Sequence, residues 1–82
     1  MRVPHEEQIA EEVTQRVTRA QEIIDKIDAA KLSRDQREIL SSIQDFVTKA
    51  RDAYQTKDMP RAQVLAEKAS RLADDLAASV KR

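Results

Sequence analysis

The sequence predicts an all-α protein, an antiparallel (up-down-up) three-helix bundle with left-handed, coiled-coil-like packing. Apolar residues recur at steps of three and four along three separate stretches, as they do on one face of an α-helix. Between the stretches lie two short segments that have the features of helix ends. Glycine is absent and aromatic residues make up 2% of the chain, which disfavours glycine-rich turns and aromatic-rich strands.

The first predicted helix covers about residues 5–31. Its apolar residues keep a seven-residue spacing, which is typical of a helix in a bundle. Pro4 suits the first turn, because the amide hydrogen that proline lacks would have no helical partner there. The stripe and its flanks consist of Ile9, Ala10, Val13, Val17, Ala20, Ile23, Ile24, Ile27 and Ala30.

The second predicted helix covers about residues 34–56. Ser33 and Gln36 have the spacing of a capping box, in which each side chain bonds to the backbone amide of the other residue. A connection of only a few residues around Leu32 makes the first two helices antiparallel neighbours. The expected core face is Ile39, Leu40, Ile43, Phe46, Val47, Ala50, Ala53 and Tyr54.

The third predicted helix covers about residues 60–80. Pro60 cannot donate an amide hydrogen bond and disfavours the helical conformation at Met59, so residues 57–59 form a break. Asp58 can cap the helix that follows. The expected core face is Ala62, Leu65, Ala66, Ala69, Leu72, Ala73, Leu76 and Val80, where repeated alanine allows close approach of the neighbouring helices.

The length and charge of the chain limit the classes of function. Eighty-two residues suffice for one core, so residues 1–82 are expected to form one domain. The 15 basic and 15 acidic residues cancel, and cysteine is absent, which excludes disulfides and thiolate metal sites. No apolar run approaches the roughly 20 residues of a membrane span, and residues 1–7 contain no apolar signal core. The cellular compartment stays open.

Catalytic, cofactor and metal sites are not expected. His5 is the only histidine and precedes the regular part of the first helix, where we expect it to be solvent-exposed. An inward-facing di-iron site would need glutamate and histidine pairs from several helices. The serines have no internal histidine to activate them, and the absence of glycine excludes a phosphate-binding loop or a nucleophile elbow. We therefore expect no enzyme activity and no small-molecule substrate.

Two classes of function remain. The first is a non-enzymatic helical scaffold or protein–protein interaction domain, expected to be part of a larger bacterial protein. Its candidate contact residues are the edge residues Ile9, Ile23 and Val64, together with Arg16 and Met59. They would serve a protein partner or a second copy, because apolar residues at stripe edges form a seam that one bundle leaves partly wet.

The second class is a small nucleic-acid-associated helical protein. Its basic residues would be Arg16, Arg19, Lys26 and Lys31 of the first helix. Acidic residues are interleaved with them, so nucleic acid is the less favoured partner. Steep salt dependence of retention on DNA or RNA would distinguish this class from the first.

Residues 54–69, YQTKDMPRAQVLAEKA, resemble the helix-turn-helix junction of tetratricopeptide-like hairpins in bacterial proteins. Asp58, Ala62 and Ala69 occupy the places of the turn acid and of two small packing residues. Lys57 stands where that pattern usually has glycine, and the pattern occurs once in this chain rather than in an array. Such hairpins commonly act as scaffolds or protein-binding surfaces, so the resemblance implies a role of that kind.

Overall fold

The computed structural model describes residues 5–80, with side chains from Glu7 onward. It contains three α-helices, which are α1 (His5–Asp25), α2 (Arg34–Gln55) and α3 (Met59–Val80), and the described part of the chain has no strand. The molecule is elongated, with dimensions of 47 × 23 × 15 Å. The predicted positions of Pro4 in the first helical turn and of the His5 side chain in solvent lie outside the described residues.

Polar contacts between the helices establish the order up, down, up. Arg19 of α1 donates to Asp74 of α3, and Gln63 of α3 donates to Glu12 of α1, so these two helices run in the same direction. Near the start of α2, Gln36 donates to Ser79 near the end of α3, so α2 runs the other way. The all-α three-helix bundle is therefore confirmed, and its left-handed sense stays a prediction from the spacing.

Helix α3 is central because its core face is made of small residues. It contacts α1 and α2 more extensively than these two contact each other. Its alanines and Ser70, a small polar residue that is 6% exposed, allow the other two backbones to approach closely. The buried core consists of Val13, Val17, Ala20, Ile24, Ile43, Val47, Ala50, Ala53, Ala62, Ala66, Ala69, Ala73 and Leu76.

The first helix ends earlier than predicted. Its predicted end near residue 31 was wrong, since α1 ends at Asp25 and a short 3-10 helix follows at Ala29–Lys31. The Asp28 carboxylate accepts from the Ala30 amide at 3.1 Å and so caps the 3-10 helix. This early turn brings Leu32 into the interior, where it is 4% exposed. The chain thus leaves the helix after Asp25 and buries the leucine at the end of the bundle, which removes its apolar surface from water.

The predicted capping box at the start of α2 is confirmed. The Ser33 hydroxyl accepts from the Gln36 amide at 3.2 Å, and the Gln36 side chain accepts from the Ser33 amide at 2.9 Å.

The predicted core faces are correct in their centres and too wide at their ends. Ile43 is fully buried, but Ile39 is 37% exposed on the same helix. Tyr54 and Val80, near helix ends, are 38% and 42% exposed, and Ala30 is exposed in the 3-10 helix. Spacing alone cannot reveal this difference, because it does not show where the neighbouring helices stop covering a face.

Candidate functional site

An open concavity lies at the end of the bundle where α1 begins and α2 connects to α3. Three helices meet there, and their mostly apolar side chains surround an open cleft of about 920 Å³, which we name the tip cleft. Its lining consists of Glu7, Ile9, Ala10, Tyr54, Gln55, Lys57, Met59 and Pro60. A cleft of this volume is within the range of protein ligand sites.

The turn between α2 and α3 fixes one wall of the tip cleft. The Asp58 amide donates to the Ala53 carbonyl at 2.8 Å, and the Lys57 amide donates to the Tyr54 carbonyl at 3.0 Å. These two bonds form a Schellman motif, which requires a left-handed residue, and Lys57 has φ of 64°. The turn therefore holds Tyr54, Lys57 and Met59 in a defined arrangement without glycine.

Asp58 precedes α3 and caps its first turn, and so positions the residues that follow the turn. Its carbonyl accepts from the Ala62 amide at 2.9 Å, and its carboxylate accepts from the Arg61 amide at 3.4 Å. Asp58 thus has the capping role expected of it. Pro60 lies in the first turn of α3, where the missing amide hydrogen costs nothing.

The edge of the tip cleft carries opposite charges on two different elements. Glu7 belongs to α1, and Lys57 belongs to the turn between α2 and α3. The walls between them are formed by the side chains of Ile9, Tyr54 and Met59, among others. The site therefore combines apolar walls with one acidic and one basic group.

The structure brings two of the five predicted contact residues together. Ile9 and Met59 are both half-buried and both line the tip cleft. Ile23 lies fourteen residues further along α1, or about 21 Å away at 1.5 Å per residue, and packs partly against the core. Val64 is 51% exposed on α3 and outside the lining. The five residues therefore do not form one continuous seam.

Arg16, the fifth predicted contact residue, is held within its own chain. Its guanidinium bonds to the Glu12 carboxylate at 3.0 Å, and the second oxygen of Glu12 accepts from Gln63 at 3.3 Å. Arg16 thus lies in a network that links α1 with α3. Its side chain is 38% exposed, so part of its long stem is covered by the protein.

Two of the four basic residues of the nucleic-acid alternative are paired with acidic side chains. Arg19 makes two hydrogen bonds to Asp74, at 3.2 and 3.0 Å, so its charge is balanced by an acid of α3. Arg16 is balanced by Glu12 in the same way. Lys26 and Lys31 follow the end of α1, in the turn and the 3-10 helix. This arrangement gives little support for a phosphate-binding surface, which needs cations in excess of anions.

Sequence reasoning missed six of the eight residues that line the tip cleft, namely Glu7, Ala10, Tyr54, Gln55, Lys57 and Pro60. Tyr54 was assigned to the core because it continues the spacing of the α2 stripe. A signal was present nevertheless, since an up-down-up order places the start of the first helix beside the second turn. Apolar residues at both places then had to meet at one end of the bundle.

Among residues 7–80, whose side chains are described, no group of three or more histidine, cysteine or acidic residues is placed to hold a metal ion. No helix within residues 5–80 is both long and apolar enough to cross a membrane. No protein-family model, curated protein or solved structure matches the chain.

Proposed function

We propose that this chain is a non-enzymatic helical scaffold or interaction module that binds protein through the tip cleft. The observation that carries the proposal is a mostly apolar cleft that is formed by side chains of all three helices at one end of the bundle. Accessible apolar surface in one place is a common feature of protein-binding sites.

The residue types in the tip cleft support a protein ligand. Tyrosine and methionine are enriched at protein interfaces, and methionine adapts its flexible side chain to surfaces of different shape. Tyr54 offers an apolar ring together with a hydroxyl that can remain in water. These properties favour a partner that inserts an apolar side chain and surrounds it with polar ones.

The resemblance of residues 54–69 to a tetratricopeptide-like hairpin supports the same role. In this chain that segment forms the end of α2, the turn and the first half of α3, and five of its residues line the tip cleft: Tyr54, Gln55, Lys57, Met59 and Pro60. Ala62 and Ala69, the small packing residues of the pattern, are both buried. The segment therefore joins two helices closely and leaves the turn residues Lys57 and Asp58 exposed, which supports a role for the turn in partner binding.

Photo-crosslinking tests this proposal. The photoreactive amino acid benzoylphenylalanine would replace Tyr54 in the tip cleft, and Gln44, exposed near the middle of α2, in a control chain. After irradiation in the source cells, we expect the Tyr54 chain to form protein adducts that the Gln44 chain does not form. Each captured protein would then be purified and titrated against the wild type and a Met59→Asp variant.

We expect Met59→Asp to weaken binding of the purified protein by at least tenfold while the helical content is retained. This is the usual size of effect for a central interface residue. Adducts that are equal at the two positions would contradict the proposal. Undiminished binding by the Met59→Asp variant would contradict it as well.

A further inference from the structure

We infer that the partner of the tip cleft is a second copy of this chain, which inserts Val64 from the first turns of its own α3. The inference rests on the proposed function and specifies its partner. It begins with Val64, which at 51% has the largest exposed fraction of the exposed large apolar residues among those described. Burial of this side chain against a partner would gain free energy by removing apolar surface from water.

Val64 and the tip cleft are neighbours on the surface. Pro60 lines the cleft, and Val64 follows it by four residues on α3. The two residues therefore share a face of the helix, with their Cβ atoms about 5–6 Å apart. A protruding apolar side chain thus lies next to an apolar cleft on the same chain. Val64 does not fill that cleft itself, since it is absent from the lining.

Adjacent protruding and concave surfaces are self-complementary under two-fold symmetry. When the first turns of α3 from two chains pack beside the axis, each chain can place Val64 in the cleft of the other. Such an isologous contact closes after two copies and leaves neither chain with an unfilled cleft. If the clefts of the two chains simply faced each other, a void would remain between them and the atoms that line it would lack contacts. Insertion of Val64 fills that space.

The charges at the edge of the cleft fit the same arrangement. The cleft carries Glu7 on α1 and Lys57 on the turn, and so offers one anion and one cation. A two-fold partner presents the same pair in reverse order, so that Glu7 of each chain can lie opposite Lys57 of the other. Complementary charges of this kind favour one orientation of the two chains.

The size of the end face limits the area of this dimer contact. The cross-section of the molecule is 23 × 15 Å, so a contact at its end buries less than the roughly 800 Å² per partner of a standard interface. We therefore expect a weak, reversible dimer of the kind that small, transient interfaces form.

Sedimentation equilibrium over a wide concentration range tests the inference with the whole 82-residue chain. We expect the wild type to pass from monomer to dimer as its concentration rises. Val64→Glu should raise the dissociation constant at least tenfold, because it places a carboxylate in an apolar cleft. The matched control is Val80→Glu at the other end of α3, where the valine is 42% exposed, and it should leave the constant within about twofold.

A charge exchange tests the orientation of the two chains. Glu7→Lys and Lys57→Glu should each weaken the dimer about threefold or more, whereas the double variant should restore it, because the opposite pairs are re-formed. Circular dichroism verifies that every variant remains helical. If the double variant dissociates as readily as the single variants, the two-fold arrangement is overturned. Dissociation of the dimer by the control substitution Val80→Glu would overturn it as well.

Other occupants of the cleft give distinct results. A wild type that stays monomeric at all concentrations overturns the inference. A chain that dimerises only when residues 1–4 have been removed overturns it as well, because the whole chain would then not pair. If the monomeric chain still forms adducts with a different protein through position 54, the inference fails and the proposed function stands. If position 54 forms no adduct with any protein, a second copy included, both fail.

Discussion

Two isoleucines on α2 distinguish the observed packing from the packing that the spacing in the sequence predicts. Ile39 and Ile43 are four residues apart and belong to the same predicted core face. In the structure Ile43 is fully buried, whereas Ile39 is 37% exposed. The same substitution to alanine should therefore have two different costs in the free energy of unfolding.

The difference follows from the carbon atoms that are removed. Isoleucine to alanine deletes three carbons, which are worth about 0.8 kcal/mol each when buried, or about 2.4 kcal/mol of transfer free energy. For Ile43→Ala the closed site adds a cavity cost, so we expect about 3–5 kcal/mol. For Ile39→Ala the deleted carbons are partly in water and the space stays open to solvent. The higher helix propensity of alanine offsets part of the loss, leaving about 1 kcal/mol.

Urea-induced unfolding followed by circular dichroism measures both costs. A domain of this size has a total stability of about 4–12 kcal/mol, so Ile43→Ala removes a large fraction of it. Ile43→Asp adds the burial of an unpaired carboxylate and should abolish cooperative unfolding altogether. Equal costs for the two alanine variants, within about 0.5 kcal/mol, would refute the packing of α2 described here.

Three further predictions concern helix ends and close packing. Ser33→Ala should lower the free energy of unfolding by about 1 kcal/mol through loss of the α2 cap, whereas Ser41→Ala, exposed within the same helix, should change it by less than about 0.5 kcal/mol. Lys57→Gly should raise the thermal midpoint, because glycine relieves the roughly 1 kcal/mol cost of the left-handed conformation; an unchanged or lower midpoint would count against that explanation. Ala69→Leu should cost about 1–3 kcal/mol by overpacking the fully buried face of α3, while the exposed Ala78→Leu serves as the control and should unfold at the same urea concentration as the wild type.

The parts of the fold that were predictable are those determined by local chemistry. The capping box of Ser33 and Gln36 depends on residues three apart, so the sequence contains all the information needed to place the start of α2. The break before Pro60 is predictable for the same reason. The three apolar stripes also determine the number of helices, because the period of the stripe belongs to each helix by itself.

The parts that were not predictable depend on contacts between distant segments. The early end of α1 is decided by burial of Leu32 at the end of the bundle, and the spacing of the first stripe continues past that point without a signal. The tip cleft is a similar case. Ile9 and Met59 were both recognised as contact residues, but Tyr54 joins them only because the turn and the start of α1 meet at one end.

The central claim is that two copies of this chain pair through the tip cleft, and nuclear magnetic resonance of the uniformly ¹⁵N-labelled chain tests it most directly. As the protein concentration rises, we predict that the amide resonances that shift cluster at residues 7–10 and 54–64. The amides of Gln44 and Thr48, exposed near the middle of α2, should remain unchanged. Shifts that are absent, or that cluster at the opposite end around Ile39 and Val80, would contradict the claim.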